Sequence, residues 1–142
     1  MSTMPINLEE RRRRRSTNPL TAISYQLEQV IEDFELDTCV IATLDGLLLA
    51  KSALEDSEDA EYYAAYSSSF FSPILAEGDD NATISLSEDV FLHMEAVTIF
   101  GQTMVLASIG HDASMTHLST YRALAGIGRI TKEQQTRDSL AA

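Results

Sequence analysis

The sequence predicts an α+β domain in which helices cover both faces of a β-sheet, with elements in the order α-β-β-α-β-β-β-α. Three observations predict it. Val90–Phe100 and Thr103–Ile109 are β-branched and aromatic runs joined by Gly101-Gln102, a β-hairpin in which glycine first in a two-residue loop suits a type II′ turn. In that register Phe100 faces Thr103, Thr98 faces Val105, Ala96 faces Ala107 and Met94 faces Ile109 on one side. Ile99 with Met104, Val97 with Leu106, and Glu95 with Ser108 share the other. A ribbon apolar on both sides near its turn needs cover on both sides. The second observation is a set of three helical apolar patterns, before, between and after the strands. The third is a second hairpin, whose turn is Leu44-Asp45-Gly46.

Asn18-Pro19 opens the first helix, with asparagine as N-cap and proline at the first helical position. Ile23, Leu27, Val30, Ile31 and Phe34 then form one apolar stripe to about Glu35, with Glu28, Glu32 and Asp33 outside. Thr38–Thr43 and Leu47–Ala50 flank the Asp45-Gly46 turn, where the aspartate reads as a turn-former before it reads as a ligand or catalyst. Asp56 or Ser57 caps the next helix, running from Asp59 to about Ala76. Two stripes can be drawn on it. Tyr63, Phe70, Phe71 and Ile74 make one; Tyr62, Tyr66, Ser69 and Pro73 make the other, and Pro73 should kink or end the helix. Apolar character on two sides implies burial on two sides. Ala82–Leu86 is a short strand, and Ser87-Glu88-Asp89 turns into the long hairpin. Ser114 is the expected N-cap of a last helix whose stripe is Leu118, Tyr121, Leu124, Ala125, Ile127 and Ile130. Gly126 and Gly128 suggest tight packing against a neighbour, and residues after Lys132 read as a frayed polar end.

The expected organisation is a tail at 1–17, a domain at 18–132 and a C-terminal tail at 133–142. One domain suits 142 residues with 44% hydrophobic content. The single cysteine, Cys39, excludes an internal disulfide, points to a reducing compartment and lies in an apolar run where a buried thiol is expected. No apolar run spans a bilayer and no secretory core precedes the domain, so a cytoplasmic protein is expected. Charge is uneven. Residues 1–15 carry Arg11–Arg15 against Glu9 and Glu10, a net of +3, while the other 127 carry 5 basic and 20 acidic side chains, a net of −15. Such a body repels nucleic acid and anionic membrane and favours a basic protein surface. The arginine run reads as a solvated arm, or as a hook for an acidic partner or for the body itself; its acids argue against a transit peptide.

With Leu27-Glu28-Gln29-Val30-Ile31 before the first strand, the Leu44-Asp45-Gly46-Leu47 hairpin, the long middle helix, and a terminal hairpin before a final helix, Pro19 to about Lys132 resembles a roadblock/LC7 domain. The resemblance implies a profilin-like, three-layer fold: a five-stranded antiparallel sheet with the middle helix on one face and the terminal helices on the other. It also implies a dimer through the middle helix and the third strand, over Tyr62, Ala65, Tyr66, Ser69, Phe70, Pro73, Thr83, Ile84 and Ser85. The residues alone support part of this, because Tyr62, Tyr66 and Ser69 need cover that one sheet face cannot supply. The family implies service to Ras-like small GTPases, in bacteria to a polarity GTPase controlling motility. The expected partners are a second copy, a Ras-like GTPase and another roadblock protein. The arginine arm lies outside the family pattern.

Catalytic motifs are missing from the sequence: no P-loop, no Gly-x-Ser-x-Gly elbow, and Gly126-Ile127-Gly128 lacks the third glycine of a dinucleotide fingerprint. His111 and His117, six apart with Asp112 adjacent, fit no common zinc spacing and read as loop and cap residues. His93 and Glu95 alternate on a strand and are expected on its less buried part. The expectation is no catalytic, cofactor or metal residue. An arginine finger from Arg11–Arg15 is disfavoured, because a finger needs fixed geometry and a flexible arm must be ordered first. The favoured reading is a non-catalytic homodimeric module that binds a small GTPase or its regulators. The alternative is a GTPase-activating protein that works without a finger. Partner contact is expected at Glu58, Asp59, Glu61 and Tyr62, with Glu28, Glu32 and Arg122 on the opposite face as the competing surface.

Overall fold

The computed structural model describes residues 18–52 and 54–141, with side chains up to Thr136. The elements are α1 (Pro19–Phe34), β1 (Thr38–Thr43), β2 (Leu48–Lys51), α2 (Ser57–Ala76), β3 (Asn81–Ser87), β4 (Val90–Ile99), β5 (Gln102–Gly110) and α3 (Ala113–Ala141). The strands form one antiparallel sheet in the order β2-β1-β5-β4-β3. One face carries α1 and α3 over Cys39, Ile41, Val97, Ile99, Met104 and Leu106. The other carries α2 over Val40, Ala42, Leu92, Met94, Val105 and Ala107. The arginine run and the N-terminal tail lie outside the described residues.

The first helix forms as its residues dictate. Asn18 Oδ1 accepts from the Leu20 N–H at 2.8 Å, Pro19 follows, and Glu35 ends the helix in the left-handed conformation at φ 52°. Ile23, Leu27 and Val30 are fully buried. Cys39 is buried opposite Ser108, and burial pushes its thiol up to about 12, which makes it inert.

The central hairpin corrects the expected turn. Ile99 pairs with Gln102 and Thr98 with Thr103, so Phe100-Gly101 are the central residues, both with positive φ (51° and 79°), as a type I′ turn requires. The pairing moves by two positions, an even number, so every side chain keeps its expected face.

Small residues let α2 lie close to the sheet: its buried face is Ala60, Ala64, Ser67, Ser68 and Phe71. Ser68 Oγ donates to the Thr43 carbonyl at 2.7 Å and Ser72 Oγ to the Leu44 carbonyl at 3.3 Å, which fastens the helix to the β1–β2 turn. Gly46, at φ 95°, sits where an added Cβ would be 3.4 Å from the Ala65 backbone. Pro73 does not end the helix; α2 continues to Ala76, because the bond lost at proline falls close to the C-terminus. Phe70, drawn in one stripe with Tyr63 and Ile74 and also expected at the dimer interface, is 41% exposed and lies with the outer stripe.

Three expectations for the last helix are also corrected. Its N-cap is Asp112, whose Oδ1 accepts from the Met115 N–H at 2.9 Å, in place of Ser114. The helix runs through to Ala141 where a frayed end after Lys132 was expected. Its buried face is Thr116, Ser119, Thr120, Ala123 and Ile127, while Leu118 and Tyr121 are about half exposed and Ala125 is exposed. The reason lies in the sheet, which presents polar His93 and Ser108 at this end. Hydroxyl residues fit there because they satisfy themselves on their own helix: Thr116 Oγ1 donates to Asp112 O, Ser119 Oγ to Thr116 O and Thr120 Oγ1 to His117 O, all within 2.7 Å. Gly126 packs as expected, since a Cβ there would lie 2.2 Å from Gln26 Cδ; Gly128 has nothing within 4 Å.

Candidate interaction surface

The outer stripe of α2 presents aromatic rings to solvent. Tyr62 stacks on Tyr66 at 5.8 Å between ring centroids, and Tyr66 meets Phe70 edge-on at 4.8 Å. Tyr62 is 61% exposed, Tyr66 is half-buried, and Ala65, Ser69 and Pro73 complete an exposed strip of small residues beside the rings. Tyrosines and phenylalanine on a helix surface, next to residues small enough to admit another backbone, make a surface suited to packing.

The third strand adds to it. β3 lies at one edge of the sheet and alternates exposed and half-buried residues along its length. Ala82, Ile84 and Leu86 pack against the α2-side core, yet each stays only half covered. Thr83 and Ser85 point to the opposite face. Of the residues expected at the interface, Ile84 shares a sheet face with the α2 aromatics, while Thr83 and Ser85 expose their side chains on the opposite face and share only the edge backbone with it.

Glu58, Asp59 and Glu61 are exposed at the start of α2. Asp56 caps that start, its Oδ1 accepting from the N–H groups of Glu58 at 2.9 Å and Asp59 at 3.2 Å. The positive end of the helix dipole offsets part of the repulsion among these carboxylates. On the other face, Arg122 is tied to Asp33 at 2.9 Å, joining α3 to α1. Between α1 and the segment that follows β2 lies a small acidic cleft lined by Glu28, Glu32, Asp37 and Glu55 over Ile31 and Leu54. Burial raises the Glu55 carboxyl above its ordinary range, against a hydrogen bond from Thr38.

One grouping was not legible in the sequence. His93 is 1% exposed, which corrects the expectation of a less buried position, and Glu95 is partly buried beside it. His93 Nε2 lies 2.9 Å from Glu95 Oε1, and Thr83 Oγ1 lies 2.6 Å from His93 Nδ1. His117, from α3, stacks on the His93 ring at 4.4 Å, and its own Nε2 is 3.2 Å from the Tyr121 hydroxyl. Burial holds His93 below the ordinary imidazole range; the bond to Glu95 opposes this and the neighbouring His117 adds to it. His111 is elsewhere, on the surface with Asp37 at 2.9 Å.

A three-layer sheet with two terminal helices on one face and a single long helix on the other is the roadblock/LC7 fold, and solved structures share it. A gliding protein, MglB from Thermus thermophilus, superposes with a TM-score of 0.66 at 15% identity, over 81% of this chain and 92% of its own. An MglB with a tetrameric arrangement gives 0.64 at 17% identity, over 81% and 91%. A roadblock/LC7 domain from Streptomyces avermitillis gives 0.56 at 21% identity, over 75% and 96%. No family model matches the sequence, and no curated protein does. Among the described residues, no helix is long and apolar enough to cross a membrane.

Proposed function

We propose that this protein is a non-catalytic homodimeric roadblock module of the cytoplasm that binds and regulates, or scaffolds, a Ras-like small GTPase or that GTPase's regulators. The observation that carries the proposal is the solvent-facing aromatic ladder Tyr62–Tyr66–Phe70 on α2, on the same sheet face as a half-covered edge strand. Two copies joined there would continue the sheet across the pair and complete the cover of Ile84 and Leu86. The likeness to MglB, one example described as a gliding protein and another as tetrameric, supports an assembling regulator in bacterial polarity or motility.

The test is to load purified Ras-like GTPases from the source genome with GTP, add the full chain, and measure both complex formation and phosphate release. Binding to one GTPase without faster release supports the scaffold. Binding with a large acceleration transfers the reading to a GTPase-activating protein. Binding to none, in either nucleotide state, overturns the proposal.

Placement of the partner has its own test. The acidic start of α2 should speed encounter with a basic surface, so Glu58→Lys with Glu61→Lys should slow association about tenfold at low salt and flatten its salt dependence. The dimer should survive the change. Stopped-flow on-rates for this pair and for Glu28→Lys with Glu32→Lys decide the matter: if only the second pair alters binding, the partner sits on the α1–α3 face.

A further inference from the structure

We propose that His93, Glu95 and His117 form a binding site for one divalent metal ion of borderline type, such as zinc, that clamps α3 onto β4. The proposal is independent of the GTPase reading.

His93 and Glu95 stand two apart on β4 and so share one face of the sheet, and α3 crosses that face with His117 toward them. One ligand atom from each residue lies within 4.8 Å of the other two. Bound zinc stands about 2.0–2.2 Å from nitrogen and oxygen ligands. Each imidazole ligates in its own plane, so the nearly parallel stack of His93 on His117, 4.4 Å between centroids, must open for both rings and the carboxylate to converge on one ion.

The surroundings are those of a ligand set. Metal-binding imidazoles are held by a hydrogen bond at the ring nitrogen that does not ligate. Here Thr83 Oγ1 occupies Nδ1 of His93 and the Tyr121 hydroxyl occupies Nε2 of His117. That leaves Nε2 of His93, already aimed at the Glu95 carboxylate, and Nδ1 of His117. On binding, the ion takes the place of the proton on His93 Nε2; the ring stays neutral by carrying its one proton on Nδ1, where it donates to Thr83 Oγ1, and Glu95 exchanges a hydrogen bond for a metal bond. Two imidazoles and one carboxylate select zinc, cobalt or nickel over magnesium and calcium, which prefer all-oxygen shells. Three protein ligands leave a fourth position for water.

The experiment uses the full chain, with any purification tag removed, at neutral pH. Zinc is titrated by calorimetry, and cobalt(II) by its visible absorption, with magnesium as competitor. Expected are one ion per chain, cobalt bands of a four- or five-coordinate site, and a melting temperature raised by roughly 5 °C at saturating zinc. His117→Ala and Glu95→Gln should each weaken binding at least about tenfold, which is the scale on which even outer-shell partners act. Both replace partly exposed groups, so far-UV dichroism without metal should match the parent. His111→Ala should bind as the parent does. No saturable binding, or equal binding by His117→Ala and the parent, overturns the proposal; so does loss of the cobalt signal to equimolar magnesium.

Discussion

Arginine at Ser69 should convert a dimer of twice the 15.7 kDa chain mass into a monomer at micromolar concentration, as read by light scattering. Ser69 lies on the exposed strip of α2 beside Tyr66 and Phe70, where a second copy would seat its own helix. In a two-fold interface one substitution acts twice, since each copy presents the same patch. A guanidinium buried there without a partner loses several kcal/mol of hydration; even about 4 kcal/mol net weakens Kd roughly a thousandfold. Ser69→Ala should leave the dimer intact. Ala65→Arg should act in the same direction, but Ala65 backs onto the Gly46 turn, so its effect mixes the interface with local packing. A wild-type chain that is monomeric at micromolar concentration, or a Ser69→Arg chain that stays dimeric, would remove the α2 interface from the account.

How much of this could be read from residues alone depends on how local the cause is. α1 was fully legible, because Asn18, Pro19 and the Ile23–Phe34 stripe act within the helix itself. The outer stripe of α2 was legible too, as a surplus of aromatic residues beyond what one sheet face can cover. The central turn was misplaced because glycine is the residue expected first at positive φ; here Phe100 adopts it as well. The layers are unaffected by the shift, since a hairpin moved by an even number keeps its faces. Hydrophobicity alone puts the stripe of α3 through Leu118 and Tyr121, yet the sheet beneath is polar at that end and selects hydroxyl residues. The cluster of His93, Glu95 and His117 exists only through that crossing. Its members come from β4 and α3, and no spacing in the chain marks them.

Adjacent phenylalanines on α2 give the sharpest test of which stripe faces where. Phe71 is fully buried against the sheet, and Phe70 is 41% exposed, edge-on to Tyr66. Phe71→Ala should cost about 3–5 kcal/mol, the transfer of the ring plus the cavity it leaves. In a domain of this size that lowers the melting temperature by roughly 10–20 °C. Phe70→Ala should cost the monomer only its ring contact, about 0.5–1.5 kcal/mol, while weakening the dimer by about 2 kcal/mol as an interface anchor. The two effects separate in the Ser69→Arg background, where association no longer adds to stability. Urea unfolding there should show a large loss for Phe71→Ala and a small one for Phe70→Ala. Equal losses in the monomer would mean that both rings sit in the core, and the aromatic ladder would then lose its third member.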